Sequence, residues 1–484
     1  MTDHERRQDG LSGVSSPRGR TGATMRRGFA WTALGRALVQ VAQLANVVIL
    51  ARVLTPADFG LATVTASIVV ISTLVADVGI STSIVHFRTA GARFAGSALS
   101  LNLLASLLVG AVLVLAAPQI ASFFGGDGLV PLLYVAAAGV AASPWSVPLG
   151  SLAAQQRFGA IVTVEVSGAV LAFAVSLGLA LAGAGAVSLV AGPALSGVVQ
   201  AAAFYVLARQ RNRLRWDRGS IRDMLGYGMP LVGYGLLSTF ASNVDRLSLA
   251  RTGSAFSVGL YSRAAQFAAL PNAVLQSVVH RVMLPSLARL GPSIAAQFAP
   301  WRRTTHDCML LSCGAIAVGC TTAEFIVFVA LGNQWLGAAS PLSVLLAGAP
   351  FLIYQGLATV LLQACGRTRL QLGLGAVTAV ITIVAAVVAA REGVLALAIA
   401  VSLAAVVSSL FWTYAIGRVA GGRPFAGVGV LLRPLAFGAV VAAVTGAPLL
   451  YGDGRELATV VVQLVLGLAL SAGAVIMIRR ARRV

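Results

Sequence analysis

Apolar residues run along this chain in long blocks that short polar connections separate. From Phe29 onward, about 14 of these blocks reach the roughly 20 residues that a helix needs to cross a bilayer. Blocks of this length predict an all-α multi-pass membrane protein. The expected spans are 29–50, 60–78, 95–117, 129–153, 159–182, 186–207, 224–245, 257–280, 306–331, 340–363, 370–390, 394–417, 430–450 and 458–478.

The composition supports a membrane protein and disfavours an enzyme. Apolar residues make up 58% and charged residues 10% of the 484 residues, and the mean hydropathy is +0.88. Soluble domains carry about 25% charged residues. The connections are too short for a catalytic domain, and the chain has no P-loop and no HExxH motif. The four cysteines lie inside apolar blocks without CxxC spacing, so we expect no metal site and no cofactor.

The net charge of +20 comes from arginines whose placement predicts an orientation. About 28 arginines fall in the connections on one side of the membrane and about 5 on the other. The positive-inside rule makes the arginine-rich side cytoplasmic, and both termini lie on it. The basic run at 209–218 is better explained by contact with anionic membrane lipid than by nucleic acid. We therefore expect membrane lipids, and no nucleic acid, as partners.

A short repeat divides the chain into two halves. Leu50-Ala-Arg52 precedes Gly60, and Leu249-Ala-Arg251 precedes Gly259 at the same spacing. Each copy lies between the first and second spans of a six-span block, so both blocks enter the membrane in the same orientation, which is typical of transporters. The expected organisation is a disordered cytoplasmic tail at 1–27, six-helix lobes at 28–208 and 223–418, a basic cytoplasmic linker at 209–222, and two further helices with a basic tail at 419–484.

Two neighbouring spans within residues 224–290 each carry polar side chains along one face. In the first span these residues follow one another at intervals of 7, 4, 4 and 3, which places them on one side of a helix. A short polar link at 246–257 is expected to follow, and Pro271 is expected to bend the second span. We interpret the two faces as a wall of a polar cavity. Their polar residues are Tyr227, Tyr234, Ser238, Ser242 and Asp245, then Tyr261, Arg263, Gln266, Gln276 and His280.

Charged residues inside the predicted spans point to a site in that cavity. An ionisable side chain at mid-membrane costs about 2.5–3.5 kcal/mol on insertion scales, so it needs a partner or water. Arg36 and Arg263 are expected to bind an anionic head group, because guanidinium is planar and always charged. The alternative is ion pairing, of Arg36 with Asp77 or of Asp245 with Arg263.

The candidate site residues follow from these faces and charges. In the first span, Gln40 and Gln43 follow Arg36 at intervals of 4 and 3, in one polar stripe. No catalytic residue is expected. Candidate substrate-binding residues are Arg36, Gln40, Gln43, Tyr234, Asp245, Arg263 and Gln266. Candidates for ion coupling or ion pairing are Asp77, Glu165 and Glu324.

Four short motifs occur in order along residues 29–418. They are Leu54-Thr-Pro-Ala-Asp-Phe-Gly60, then Asn243-Val-Asp245 with Val258-Gly-Leu-Tyr-Ser-Arg263-Ala, then Gly332-Asn-Gln-Trp335, and Gly366-Arg-Thr-Arg369. Together they resemble the polysaccharide transporter (Wzx-type) flippases of the multidrug/oligosaccharidyl-lipid/polysaccharide flippase superfamily.

This resemblance implies a MATE-like, two-lobed bundle in the bacterial inner membrane that works by alternating access. It implies a polyprenyl-diphosphate-linked oligosaccharide as substrate, moved from the cytoplasmic to the periplasmic leaflet for exopolysaccharide, capsule or O-antigen assembly. Polysaccharide polymerase and export machinery are the implied protein partners.

Two other functions remain as alternatives. A cation-coupled multidrug exporter of the same superfamily would need a carboxylate-rich site, whereas the predicted cavity has more arginine than aspartate or glutamate. A membrane-embedded polymerase or ligase is disfavoured because no large external loop is present.

Overall fold

The structure is a computed structural model that describes residues 39–77, 79–80, 83, 91–126, 128–142, 146–208, 214–421, 425, 428–447 and parts of 459–473, except positions 41, 156 and 292. All regular structure within these ranges is helical, as the apolar blocks predict. In the first half the helices are α1 (Ala42–Val53), α2 (Pro56–Asp77), α3 (Gly91–Phe123), α4 (Leu129–Ala141), α5 (Ser146–Ala154), α6 (Phe158–Leu181) and α7 (Ala186–Leu207).

The second half follows the basic linker and is also built of helices. Its helices are α8 (Arg218–Ala241), α9 (Val244–Thr252), α10 (Ala255–Ala288), α11 (Ile294–Thr321), α12 (Ala323–Ala330), α13 (Ala339–Ala364), α14 (Thr368–Ala389), α15 (Val394–Gly421) and α16 (Val428–Gly446). Short 3-10 helices, Asn333–Ala338 and Ala390–Glu392, precede α13 and follow α14.

Eight helices within the described ranges are long and apolar enough to cross a membrane, and α11 with α12 makes nine if the bent pair is one span. The chain is therefore a multi-pass helical membrane protein. The total of 14 spans and the division into two lobes stay predictions. The 34-residue helix α10 is not among the eight. The polar face of α10 lowers the mean hydropathy of the helix. This helix belongs to the stretch that the sequence predicts to be a cavity wall.

Three local expectations differ from the structure. The predicted polar link at 246–257 contains the helix α9, whose first turn carries Asp245 and whose last turn carries Arg251. Charges in those places suit the helix dipole, which explains a helix in a polar stretch. Within the predicted span 129–153 the described residues form two helices, α4 and α5. α10 runs through Pro271 as one helix, and the bend expected there stays a prediction. The predicted span 306–331 begins earlier, at Ile294, and bends by 70° between α11 and α12.

Helices α2 and α10 touch through the glycines of the sequence repeat. A Cβ added to Gly60 would lie 1.8 Å from the carbonyl oxygen of Ala255, and one added to Gly259 would lie 1.8 Å from that of Pro56. Only glycine permits this approach, as in close helix pairs of other membrane proteins. Each helix thus presents its first-turn glycine to the backbone of the other.

The contact between α2 and α10 is reciprocal, as in a two-fold symmetric interface. The positions 56, 60 and 63 on α2 correspond to 255, 259 and 262 on α10, at the offset that relates Arg52 to Arg251. The hydroxyls of the equivalent residues Thr63 and Ser262 lie 3.1 Å apart. The repeat found in the sequence therefore coincides with a pair of helices in direct contact.

Candidate functional site

Arg263 lies on α10, two turns from the end of the helix that the arginine distribution predicts to be external. Its guanidinium carbon is 4.9 Å from the centre of the Phe59 ring on α2, a cation–π contact across the two halves. Its Nη1 donates to the side-chain oxygen of Gln266 at 2.5 Å. Its Nε is buried and has no hydrogen-bond partner among the described residues. Arg263 is thus held in place but keeps unused donors.

The alternative ion pair between Asp245 and Arg263 does not occur within the described part of the chain. Asp245 accepts a hydrogen bond from the Tyr261 hydroxyl at 2.9 Å, and its other oxygen accepts from the backbone N–H of Arg246. Asp245 therefore ties α9 to α10, and the guanidinium of Arg263 has no carboxylate partner among the described residues.

The Phe59 ring, which Arg263 contacts, packs against a residue of the second half. Its edge meets Trp335 at 5.2 Å between ring centres. The Trp335 indole N–H donates to the carbonyl of Ala51 at 2.9 Å, and the Gln334 side chain donates to the same carbonyl at 2.7 Å and to that of Leu54 at 3.2 Å. The Gly332–Trp335 motif thus satisfies backbone oxygens at the end of α1. The sequence alone did not indicate this role of the motif, because the hydrogen bonds join residues about 280 positions apart in the chain.

A polar cavity of about 520 Å³ lies in the first half, between α1, α6 and α7. It brings together three of the predicted residues: Gln40, Gln43 and Glu165. It also contains polar residues that sequence reasoning missed, namely Asn46, Ser196 and Gln200. Their signal was weak because hydroxyls and neutral amides are common in membrane helices and carry no charge to mark them. We call this space the amide cavity.

A second cavity in the first half, of about 290 Å³, lies between α2, α3, α4 and α7. Asp77, one of the predicted ionisable candidates, lines it together with Asn102 and Ser106. Asn102 donates to the Ala76 carbonyl at 3.3 Å, while its side-chain oxygen is buried without a described partner. Most of the remaining lining is apolar.

An apolar groove of about 590 Å³ lies in the second half, between α10, α11, α12 and α13. Phe267, Leu270 and Val274 line it from α10. They follow Arg263 at intervals of 4, 3 and 4, so all four residues occupy one face of α10. The helix therefore presents a cation followed by an apolar stripe.

The other predicted site residues fall in different places. Arg36 lies outside the described residues, and so does the side chain of Tyr234, although its backbone belongs to α8. Glu324 lies in the first turn of α12, directly after the 70° bend. The structure thus joins Gln40, Gln43 and Glu165 in one cavity and Arg263 with Gln266 in another place. It does not test the expected meeting of Arg36 and Arg263.

Comparisons with known proteins agree with this architecture. A family described as polysaccharide biosynthesis protein matches residues 49–340. The chain is 23% identical over 266 residues to the lipopolysaccharide biosynthesis protein WzxC of Escherichia coli, covering 54% of each protein. It is 23% identical over 323 residues to the succinoglycan biosynthesis transport protein ExoT of Rhizobium meliloti, covering 66% of this chain and 65% of ExoT. The chain thus spans less than two thirds of each of these relatives.

The fold is similar to that of a solved flippase. The lipid II flippase MurJ, in an inward closed conformation, matches 93% of this chain and 99% of its own with a TM-score of 0.76 at 13% identity. That likeness concerns the fold alone. Because the family match covers more than half of the sequence, this chain belongs to the polysaccharide biosynthesis protein family, as the resemblance to Wzx-type flippases predicted.

Proposed function

We propose that this protein is a flippase that moves a polyprenyl-diphosphate-linked oligosaccharide from the cytoplasmic to the periplasmic leaflet of the bacterial inner membrane by alternating access. The product supplies assembly of an exopolysaccharide, capsule or O-antigen, with polysaccharide polymerase and export machinery as partners. Family membership supports the saccharide pathway. The observation that carries the proposal is Arg263, a cation held inside a transporter fold without a carboxylate partner among the described residues.

Arg263 suits the diphosphate of such a substrate. A guanidinium has five N–H donors in a planar fork that matches phosphate oxygens. One of them is engaged by Gln266, and the Nε donor has no described partner. A buried charge without a counter-ion is costly, so an anionic ligand at this place would be stabilised. Gln266 then serves to orient the guanidinium.

The apolar stripe next to Arg263 suits the lipid part of the substrate. Phe267, Leu270 and Val274 continue from Arg263 along one face of α10 into the 590 Å³ groove. The polyprenyl chain is apolar along its whole length, so burying it there releases water or replaces lipid without exposing polar groups. One face of α10 thus offers a place for the diphosphate and a path for the chain.

Alternating access requires contacts between the halves that form and break. Three contacts between the halves lie at the end of the protein that is predicted to be external. They join Gly60 to α10, Thr63 to Ser262, and Trp335 to Ala51. We take this arrangement as a state closed toward the periplasm. Since the contact follows the sequence repeat, it also supports the proposed lobes at 28–208 and 223–418. The proposed 14 spans and two cytoplasmic termini rest on the apolar blocks and the arginine distribution of the sequence.

The cation-coupled multidrug exporter is less well supported. A site for cationic drugs calls for carboxylates, whereas the described contact between the halves centres on Arg263. The two functions predict different phenotypes, which makes them separable in the bacterium that carries the gene.

The experiment is a clean deletion in that bacterium. We expect loss of surface polysaccharide and accumulation of the lipid-linked oligosaccharide in the cytoplasmic leaflet, measured by its protection from an external glycosidase in spheroplasts. Complementation with the unchanged gene should restore surface polysaccharide and end the accumulation, whereas complementation with Arg263→Gln should restore surface polysaccharide only weakly. Full surface polysaccharide in a deletion strain without another flippase gene would contradict the proposal, and hypersensitivity to cationic drugs alone would favour the exporter.

A further inference from the structure

The amide cavity differs in chemistry from the surroundings of Arg263. Its polar lining consists of side-chain amides, one hydroxyl and one carboxylate, carried by three helices. Gln43 and Asn46 lie on one face of α1, and Gln40 lies just before that helix. Glu165 belongs to α6, and Ser196 and Gln200 share a face of α7. Small residues, Gly168, Ala169 and Ala172, form the floor from α6.

Part of the amide cavity is fixed in place before any ligand enters. The Gln200 amide nitrogen donates to the Ser196 hydroxyl at 2.8 Å. That hydroxyl donates in turn to the Gly168 carbonyl on α6 at 2.7 Å. Gly168 leaves room for this arrangement, since a Cβ there would lie 2.3 Å from the amide nitrogen of Gln200. The chain of hydrogen bonds orients the Gln200 amide and leaves its carbonyl oxygen as an acceptor.

The amide cavity also contains a buried hydrogen-bond acceptor. The side-chain oxygen of Asn46 is buried and has no hydrogen-bond partner among the described residues. A buried acceptor without a partner costs about 1–3 kcal/mol in general, so such atoms usually mark a place for a ligand or water. Asn46 lines the cavity together with two glutamines of the same helix.

The lining selects a class of ligand. Apart from the Glu165 carboxylate, the polar lining residues that the structure describes are neutral groups that both donate and accept. Such groups suit an uncharged ligand. Within the described ranges, no group of three or more His, Cys, Asp or Glu side chains is placed to hold a metal ion. Sugar hydroxyls donate and accept in the same way as amides, and a volume near 520 Å³ lies within the about 300–1,000 Å³ typical of ligand sites.

We propose that the amide cavity is a subsite for an uncharged sugar residue of the transported lipid-linked oligosaccharide. This inference rests on the proposed function and adds to it. Recognition of the substrate is divided between the halves: Arg263 on α10 binds the diphosphate, and the amides of α1 and α7 bind a sugar. Gln43, Asn46 and Gln200 determine which glycan is accepted, while Arg263 determines that a diphosphate is accepted.

The test compares two lipids on the purified full-length protein in detergent. The first probe is polyprenyl diphosphate without sugar, and the second is the lipid-linked oligosaccharide extracted from the deletion strain. Binding is measured by the change in Tm, followed by tryptophan fluorescence, and by titration. We expect the unchanged protein to bind both lipids, and to bind the second more tightly.

The variants Gln43→Ala and Gln200→Leu should bind the sugar-bearing lipid about three- to tenfold more weakly, because each loses one or two neutral hydrogen bonds. Their affinity for polyprenyl diphosphate should stay the same. Arg263→Gln should weaken the binding of both lipids to a similar extent. Gln119→Ala removes an exposed glutamine of α3 that lines none of the three cavities and should change neither affinity.

The outcomes separate this inference from the proposed function. If the unchanged protein binds neither lipid, the proposed function fails. If it binds both lipids but Gln43→Ala and Gln200→Leu keep full preference for the sugar-bearing lipid, the subsite is wrong and the function stands. A third outcome would assign the cavity to a cation. In that case NaCl, but not KCl at the same ionic strength, would raise the Tm of the unchanged protein. Both variants would abolish this rise and leave the lipid preference unchanged.

Discussion

Helices α2 and α10 hold equivalent places in the repeat, yet only α10 carries a cation. The glycines at 60 and 259 and the hydroxyls at 63 and 262 correspond in type and in contact. One position further on, Arg263 corresponds to Val64, which is buried. The two copies of the repeat therefore share the residues that let the two backbones approach, and differ at the position of Arg263, where we propose that the substrate binds.

The aromatic partner of Arg263 shows the same divergence. Phe59 on α2 contacts the guanidinium, whereas the equivalent residue on α10 is Val258, which is fully buried. A symmetric pair of helices can thus hold one asymmetric site, because one half supplies the cation and the other the ring beneath it. The comparison separates a role in closing the halves from a role in binding, and substitutions can test each role alone.

The largest effect is expected from fixing the two equivalent hydroxyl positions to each other. In a background without the four native cysteines, Thr63→Cys combined with Ser262→Cys should form a disulfide on oxidation, because the two hydroxyls lie 3.1 Å apart. Transport should stop completely and return on reduction. Either single cysteine variant is the control and should be insensitive to oxidant. Full transport by the oxidised double variant would show that this contact never opens.

Gly60→Ala should cause the next largest effect. The added Cβ would meet the carbonyl oxygen of Ala255, so α2 and α10 must move apart. We expect at least about a tenfold loss of transport together with a lower Tm, since the clash cannot be relieved by a flexible side chain.

Gly178→Ala is the matched control for that variant. Gly178 lies in α6, and no atom lies within 4 Å of the place of its Cβ. Alanine favours helix over glycine by about 1 kcal/mol, so the Tm should stay the same or rise. Equal loss of transport in both variants would contradict a special role of the repeat glycines.

Arg263→Gln tests the chemistry that distinguishes α10 from α2. Hydrogen bonds to charged groups contribute about 1.5–3 kcal/mol, so transport should fall about 10- to 100-fold while membrane expression is kept. Arg263→Lys should recover only part of the activity, because an ammonium lacks the planar fork. Arg251→Gln, an exposed arginine at the end of α9, is the control. Normal transport by Arg263→Gln would remove the cation from the mechanism.

The smallest effect is expected at Trp335, whose indole joins the halves. Trp335→Phe loses the hydrogen bond to Ala51, and Trp301→Phe loses an equivalent bond to Leu357 inside the second half. Each should lower the free energy of unfolding by about 0.5–1.5 kcal/mol. Only Trp335→Phe should also change the transport rate, by a few fold, because only its bond must break when the halves separate. Identical transport in the two variants would show that the bond at Trp335 has no role in closure.

Most helix positions could be read from the sequence, because crossing a bilayer requires about 20 apolar residues and leaves a long uninterrupted signal. α7 at Ala186–Leu207 and α13 at Ala339–Ala364 begin and end within a residue of the expected 186–207 and 340–363. The short helix α9 and the bend before α12 were not foreseen. Their residues are short or polar stretches where tertiary contacts outweigh the hydropathy pattern.

The candidate site was predicted in part. Arg263 and Gln266 were identified because they share a helical face, and the structure does place them in contact. Phe59 and Trp335 were missed, because an aromatic residue at a helix end has the same pattern whether it packs in a core or carries a cation. Asn46, Ser196 and Gln200 were missed because hydroxyls and amides are common in membrane helices and carry no charge to mark them.

The sequence by itself determined that this protein is a multi-pass helical membrane protein with a basic side, an internal repeat and charged residues within its spans. These are local properties, since hydropathy, charge and spacing act within one helix or one loop. Only the tertiary structure decided which residues of distant spans meet: the two repeat glycines, the ring beneath Arg263, and the amides around the first-half cavity. Such contacts depend on the packing of helices far apart in the chain, and helical periodicity specifies a face without specifying its partner.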